Sequence, residues 1–227
     1  MNKYEEALFF YCRNNYIIIN DLLWGNGDKL EKGIELIVDD AKGVMKEADE
    51  VGIENRWKAL QEECQVVYDA YKRRTPHILD EKGKKQLLNQ AIEDIDCLYK
   101  MMKPCEQNII LYRNVRASNF QNRLPGDKIK MKGFSSCSRG KLEEGFGKEK
   151  FFRLKFLAPK GTICIDTTFY PKYANEEGEV ILPPLEGIVQ SIVPSKNPNC
   201  ICEIEVLLTK IFKPQITKKI FEEIKNK

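Results

Sequence analysis

The stretch Met101-Met102-Lys103-Pro104-Cys105-Glu106-Gln107-Asn108-Ile109-Ile110-Leu111-Tyr112 is where the chain changes its period. Upstream, apolar residues recur every three or four positions, which puts them on one face of a helix. Downstream they come in short runs separated by proline and glycine, as strands and their turns do. Helices gathered before Pro104 and strands gathered after it indicate an α+β fold and not an alternating, doubly wound one. The expected division is a mainly helical lobe over residues 1–104 and a mainly β lobe over 105–227 of a single domain.

Working back from Met101, Leu87, Leu88, Ala91, Ile95 and Leu98 form the stripe of a helix expected over residues 80–102. An earlier helix over 54–73 would bury Trp57, Leu60, Cys64, Val67 and Tyr71, and Thr75-Pro76 ends it because the residue before proline avoids the helical region. A third, over 28–49, turns Leu30, Ile34, Ile37, Val38 and Met45 inward. The first helix carries Ala7, Leu8, Tyr11, Cys12, Asn15 and Ile19 on one face and should run unbroken to Gly25-Asn26-Gly27. Working forward, Ile109-Ile110-Leu111-Tyr112 reads as a strand, followed by strands over 129–137, 151–157, 162–167, 179–182, 187–193 and 201–212, with a closing helix over 217–225.

Composition narrows the function. Lys plus Arg number 37 against 34 Asp plus Glu, a net charge of +3, without the basic excess of a nucleic-acid binder. No apolar stretch approaches the roughly 20 residues that span a bilayer, so no membrane partner is expected. Eight cysteines contain no Cys-x-x-Cys pair and His77 is the lone histidine, which argues against a metal site. The thiols are expected to be reduced. Met-Asn-Lys-Tyr-Glu-Glu lacks the features of a signal peptide, so synthesis in the cytoplasm is expected, with any delivery to a host or neighbouring cell using no such signal. A monomer is expected.

Three segments of the second half place polar side chains where a buried strand would not. Arg113, in Tyr112-Arg113-Asn114, ends an apolar strand, where a guanidinium is costly without an anion and is shaped to bind one bidentately. In Gly133-Phe134-Ser135-Ser136-Cys137-Ser138, an extended chain sets Ser136 and Ser138 on one face and Ser135 and Cys137 on the other. In Glu176-Glu177-Gly178-Glu179-Val180-Ile181-Leu182, Glu177 and Glu179 project from one face at the start of an apolar strand. Taken singly, each has a plainer reading: a salt bridge at a strand end, a serine-rich edge strand, an acidic turn. No Gly-x-Ser-x-Gly elbow is present, and His77 lies in the helical half, so a serine hydrolase triad has little support.

Taken together in this order and spacing, the three segments resemble the Arg–Ser–Glu class of mono-ADP-ribosyltransferases, the class of the bacterial binary actin-modifying toxins and related exoenzymes. The middle motif of that class is commonly Ser-Thr-Ser; here it is Ser136-Cys137-Ser138, which differs in the side chain facing away. Residues 11–23, with Tyr16, Ile19-Asn20 and Leu22-Leu23, are similar to a helix of these enzymes, and residues 87–112 resemble the helix and strand leading to the arginine. The resemblance implies a mixed or antiparallel β-sandwich core behind the helical segment, with the NAD cleft in the β lobe. It implies NAD as substrate, no metal, and a protein partner bearing an acceptor arginine. Glu179 would be the catalytic carboxylate, Ser136 would hold it, and Arg113 would bind the pyrophosphate, flanked by Tyr112 and Asn114. Glu177 would address the incoming arginine, because a carboxylate grips a guanidinium bidentately. Phe146, in the loop over 139–150, would stack on nicotinamide, and Tyr170 and Tyr173 would contact the target protein. Two other readings stay open on the sequence: an NAD glycohydrolase, with water replacing the acceptor, and a catalytically silent interaction module on the same fold. The intact Arg113, Ser136 and Glu179 speak against the last.

Overall fold

The computed structural model describes residues 1–51, 61–76, 80–117, 120, 122–141, 149–170 and 179–216. The expected helical residues 54–60 and the closing helix over 217–225 lie outside these, as do His77, Phe146, Tyr173 and Glu177. Two compact units divide between Leu98 and Tyr99, in the last turn of a helix, with Pro214 ending the second.

In the first unit, Asn2 caps α1 (Lys3–Phe10) by accepting from the N–H groups of Tyr4 and Glu5, while the Glu5 carboxylate takes the Asn2 N–H. This reciprocal box satisfies amides the first turn cannot. A π-helical turn, Tyr11–Asn15, then separates α1 from α2 (Tyr16–Trp24), and Arg13 leaves helical geometry within it at φ −102 and ψ −116. The sequence predicts one unbroken helix here. The wide turn resets the face, so that Leu8, Phe9 and Phe10 before it, Tyr11 at its start and Ile18, Ile19, Leu22 and Leu23 after it are all buried. Gly25 ends α2 in the left-handed conformation, φ 80, which glycine adopts without cost. The helices α3 (Gly27–Val51), α4 (Gln61–Arg74) and α5 (Glu81–Met101) follow. The expected stripes of α3 and α5 are largely buried, with Leu30, Ile34, Ile37 and Val38 on one and Leu87, Ala91, Ile95 and Leu98 on the other. Arg74 and Asp94, both buried, form an ion pair inside this unit.

The second unit is a sheet of nine strands among the described residues, in the order β1-β6-β7-β4-β2-β5-β9-β8-β3. They are β1 (Lys103–Pro104), β2 (Ile109–Arg116), β3 (Lys128–Met131), β4 (Ser135–Ser138), β5 (Phe151–Ala158), β6 (Ile163–Asp166), β7 (Glu179–Leu182), β8 (Leu185–Pro194) and β9 (Cys200–Ile211). Every pairing is antiparallel except β5 with β9, so the sheet is mixed. One face buries a continuous core that includes Leu111, Cys137, Leu154, Phe156, Val180, Leu182 and Val206. The run expected as one strand over 129–137 is two. It breaks at Lys132-Gly133, after which β3 pairs with β8 at the sheet's end while β4 pairs with β7 and β2 near its middle. Pro104, expected only to close a helix, also lies in β1, a terminal strand where its missing N–H costs no ladder bond.

Candidate active site

Three neighbouring strands, β2, β4 and β7, carry Arg113, Ser136 and Glu179. Their register is direct: Tyr112 pairs with Ser138, and Ser138 with Glu179. Residues paired across strands share a face, so alternation puts Tyr112, Asn114, Ser136, Ser138 and Glu179 together on the face opposite Cys137 and Val180. Arg113 leaves the backbone on the core side, beside Leu111 and Val115. Its guanidinium nevertheless meets β4, where Nη1 donates to the Ser136 carbonyl oxygen at 2.7 Å. Strands β2 and β4 pair at one position only, which leaves that carbonyl oxygen to the side chain. The Arg113 Nε is buried and has no hydrogen-bond partner.

Cys137 reports how these charges are disposed. Burial pushes its thiol up to about 12, with Arg113 pulling it down and Glu179 pushing it further up. Both charges therefore act on the same buried sulfur. Glu179 is held through its backbone, its carbonyl oxygen accepting from the Thr167 hydroxyl at 2.7 Å. Thr167 begins a short 3-10 turn, Thr167–Phe169, capped by the Asp166 carboxylate, which also pairs with Arg139. Tyr170 is half-buried and ends this turn, and the neighbouring Phe169 is 78% exposed.

A polar stripe continues on the same face beyond β2. Tyr112 is paired with Lys155, and Lys155 with Glu205, their side chains meeting at 2.7 Å; Asn114 is paired with Arg153, and Arg153 with Glu203. Lys141 donates twice to Glu203 at 2.9 Å and stands 5.9 Å from the Tyr112 ring centroid. Burial would raise the Glu203 carboxyl, but hydrogen bonds from Lys141 and Arg153 hold it below the usual carboxylate range. None of Arg153, Glu203, Lys141 and Thr167 is singled out by the sequence, because each takes its meaning from a cross-strand neighbour. Phe169 is visible as one aromatic among several in its loop, with no sign of its exposure. Among the described residues no group of His, Cys, Asp and Glu side chains is placed to hold a metal ion, and no helix is long and apolar enough to cross a membrane.

The sequence profile of the ADP-ribosyltransferase exoenzyme family matches residues 77–226, which include all three strands, and the chain belongs to that family. No curated protein matches the sequence. Among solved structures the chain is similar to the Salmonella SpvB ATR domain, at 13% identity over 92% of this chain and 100% of that one, with a TM-score of 0.53. It is also similar to the Clostridium limosum C3 exoenzyme, at 16% identity over 92% and 86% of the two chains and a TM-score of 0.46. A further similarity is to C3stau2 from S. aureus, solved with NAD, at 19% identity over 58% and 73% of the two chains and a TM-score of 0.39. The α+β architecture, helices followed by a mixed sheet, is the fold shared with the Salmonella domain.

Proposed function

We propose that this chain is a mono-ADP-ribosyltransferase that moves ADP-ribose from NAD to an arginine side chain of a target protein. The observation that carries the reading is the placement of Arg113, Ser136 and Glu179 on adjacent strands, with the arginine bonded to the strand that bears the serine. NAD supplies the ADP-ribosyl group when its nicotinamide–ribose bond breaks. The Glu179 carboxylate is a fixed negative charge for the positive charge that grows at the ribose, the electrostatic assistance glycosidic cleavage needs. Ser136, on the same face and one strand away, orients that carboxylate. The unpartnered Nε of Arg113 is a buried donor that suits an anionic ligand, and the guanidinium fork fits a pyrophosphate. Tyr112 and Asn114 border the same region of β2.

The acceptor is read from Glu177, two residues before Glu179 in the sequence. A carboxylate there can clamp an incoming guanidinium, and because arginine stays charged its proton must leave as the new bond forms. Phe146 is assigned to stacking on nicotinamide, and Tyr170 and Tyr173 to the target protein. To these we add Phe169, whose exposed ring stands next to Tyr170. No metal is required, and the enzyme acts as a monomer on a protein partner.

Incubation with labelled NAD and a cell lysate, followed by mass spectrometry of the labelled peptides, tests this reading. ADP-ribosyl-arginine adducts are expected. Adducts confined to asparagine or cysteine would overturn the acceptor assignment, and nicotinamide release with no labelled protein would identify a glycohydrolase.

A further inference from the structure

Cys105 and Cys164 are separated by 59 positions, and their Sγ atoms stand 3.3 Å apart, one thiol donating to the other. Both are free thiols. Cys164 is in β6, and Cys105 directly follows β1, whose register pairs Lys103 with Cys164. Alternation from that pair turns Cys105 and Cys164 to one face, and both pack on the core of the sheet. The backbone of Cys105 is held independently of its sulfur. Its N–H donates to the Thr162 carbonyl oxygen at 2.9 Å, and its carbonyl oxygen accepts from the Gly161 N–H at 2.9 Å. A disulfide demands two cysteines already fixed side by side, because strained geometry is costly. Here the sulfurs need to close by about 1 Å, a shift on the scale of side-chain torsion that leaves the strands in place.

The two sulfurs differ in access. Cys105 is half-buried, while Cys164 is 7% exposed. Burial pushes the Cys164 thiol up to about 12, and its hydrogen bond with Cys105 adds to the rise, so Cys164 holds its proton at neutral pH. An outside reagent therefore meets Cys105 first. The segment between the two cysteines contains β2, β3, β4 and β5, and with them Arg113 and Ser136. A covalent bond between the sulfurs ties off that whole segment as a loop, which restricts the unfolded chain.

We propose that Cys105 and Cys164 form a thiol–disulfide exchange site that takes small-molecule disulfides of the glutathione class and closes into a staple between β6 and the residue after β1. In the first step the Cys105 thiolate attacks one sulfur of the small disulfide, whose S–S bond breaks. The departing small thiolate takes up a proton in place of the one Cys105 gave to solvent. In the second step Cys164 attacks the Cys105 sulfur, the mixed disulfide breaks, and the second small thiolate leaves with the Cys164 proton. Two protein thiols are oxidised and one small disulfide is reduced to two small thiols, so no further oxidant is needed. Excess small thiol runs the same steps backward. Oxidising surroundings thus close the staple and reducing ones open it. The chemistry uses neither NAD nor the residues assigned to it.

The test uses the full chain, reduced with dithiothreitol, freed of it and placed without denaturant in buffers of graded reduced and oxidised glutathione. Remaining thiols are capped under acid and the cysteine peptides mapped by mass spectrometry, with a thermal melt of the reduced and oxidised forms. In excess oxidised glutathione a linked Cys105–Cys164 peptide is expected, and dithiothreitol is expected to remove it. Closing a loop of this length is expected to raise the melt by about 10 °C, a rise absent from C105S. C164S is expected to stop at glutathione on Cys105, and C105S to show neither the cross-link nor glutathione on Cys164. Should the serine variants not fold, the wild-type map and C164A carry the test. A wild-type chain that stays unlinked at these two positions in excess oxidised glutathione overturns the proposal. So does a mixed disulfide that forms on Cys164 ahead of Cys105, or an oxidised form that melts with the reduced one.

Discussion

Arg113 contributes one end of its guanidinium to the Ser136 carbonyl oxygen at 2.7 Å and keeps Nε buried without a partner. A lysine in its place has a compact ammonium that cannot serve the strand and a phosphate through one rigid plane. Arg113→Lys is therefore expected to raise the KM for NAD by about tenfold or more, measured as nicotinamide release against NAD concentration. An unchanged KM would show that the guanidinium serves only the strand. In the sequence Arg113, Ser136 and Glu179 stand out as polar residues in apolar segments, each with a plainer reading when taken singly, and their order and spacing together carry the resemblance that makes them candidate site residues. A charge buried in such a segment is costly without a partner. Arg153 breaks the same rule yet was not legible. In Phe151-Phe152-Arg153-Leu154-Lys155 it alternates with apolar residues like any half-exposed strand cation. Its burial depends on Glu203, separated from it by 50 positions and brought alongside by the parallel β5–β9 pairing.

The elements show where local rules are overridden. Strand β8 begins at Leu185, before Gly187, where the turn-like glycine suggests a later start. The β8–β9 register shifts between Glu186 and Gly187, and a Cβ on Gly187 would lie 2.5 Å from Val206 Cγ1 and 2.9 Å from the Leu207 carbonyl oxygen. The glycine is there for close approach, not for a turn. Gly187→Ala should cost about 1–3 kcal/mol by overpacking against backbone that cannot yield, read from urea denaturation. The break between β3 and β4 has a similar origin. The sequence shows a continuous run at 129–137, but partners on different strands pull its two halves to different places in the sheet. The wide turn Tyr11–Asn15 carries no proline or glycine to announce it, and burial of aromatic residues before it and aliphatic ones after it decides its position. Among the helices, Arg74 stacks 4.1 Å from the Phe10 ring centroid, donates to the Glu6 carbonyl oxygen at 3.3 Å and pairs with buried Asp94. Arg74→Met strands Asp94 as an uncompensated buried charge, so a loss of about 3–5 kcal/mol is expected in the same denaturation assay. A loss under about 1 kcal/mol would mean that Asp94 is readily hydrated or neutralised.

At the scale of the whole molecule, the division into helices and then strands followed directly from the change of period at Pro104. The order of strands did not, because it is set by pairings between segments far apart in the chain. Stability should fall on both sides of neutrality. Burial pushes the Cys137 and Cys164 thiols up to about 12, so the folded state keeps them protonated where an unfolded chain gives up their protons above about 8.5. Their contribution is complete below that value and is lost as pH rises from it toward 12. On the acid side, Asp166 and Glu203 are held below the usual carboxylate range, burial being outweighed by bonds from Thr168 and Arg139 in one case and from Lys141 and Arg153 in the other. Their contribution is present above about pH 4 and is lost as pH falls through the folded values. Denaturation midpoints measured from pH 3 to 11 should therefore peak near neutrality, and replacing Cys137 by alanine should flatten the alkaline limb. An alkaline limb that is identical in that variant would remove the thiol from the account.

The proposed scission of NAD, assisted by the Glu179 carboxylate, is the step on which the rest depends. Nicotinamide release from NAD by wild type and by Glu179→Gln, compared at equal melting temperature, measures that step with no need to know the target protein. Wild type is expected to release nicotinamide, and the glutamine variant, which keeps the shape and removes the charge, to do so about 10²–10³-fold more slowly. Equal rates in the two proteins would contradict the assignment of the carboxylate and, with it, the active site described for this sheet.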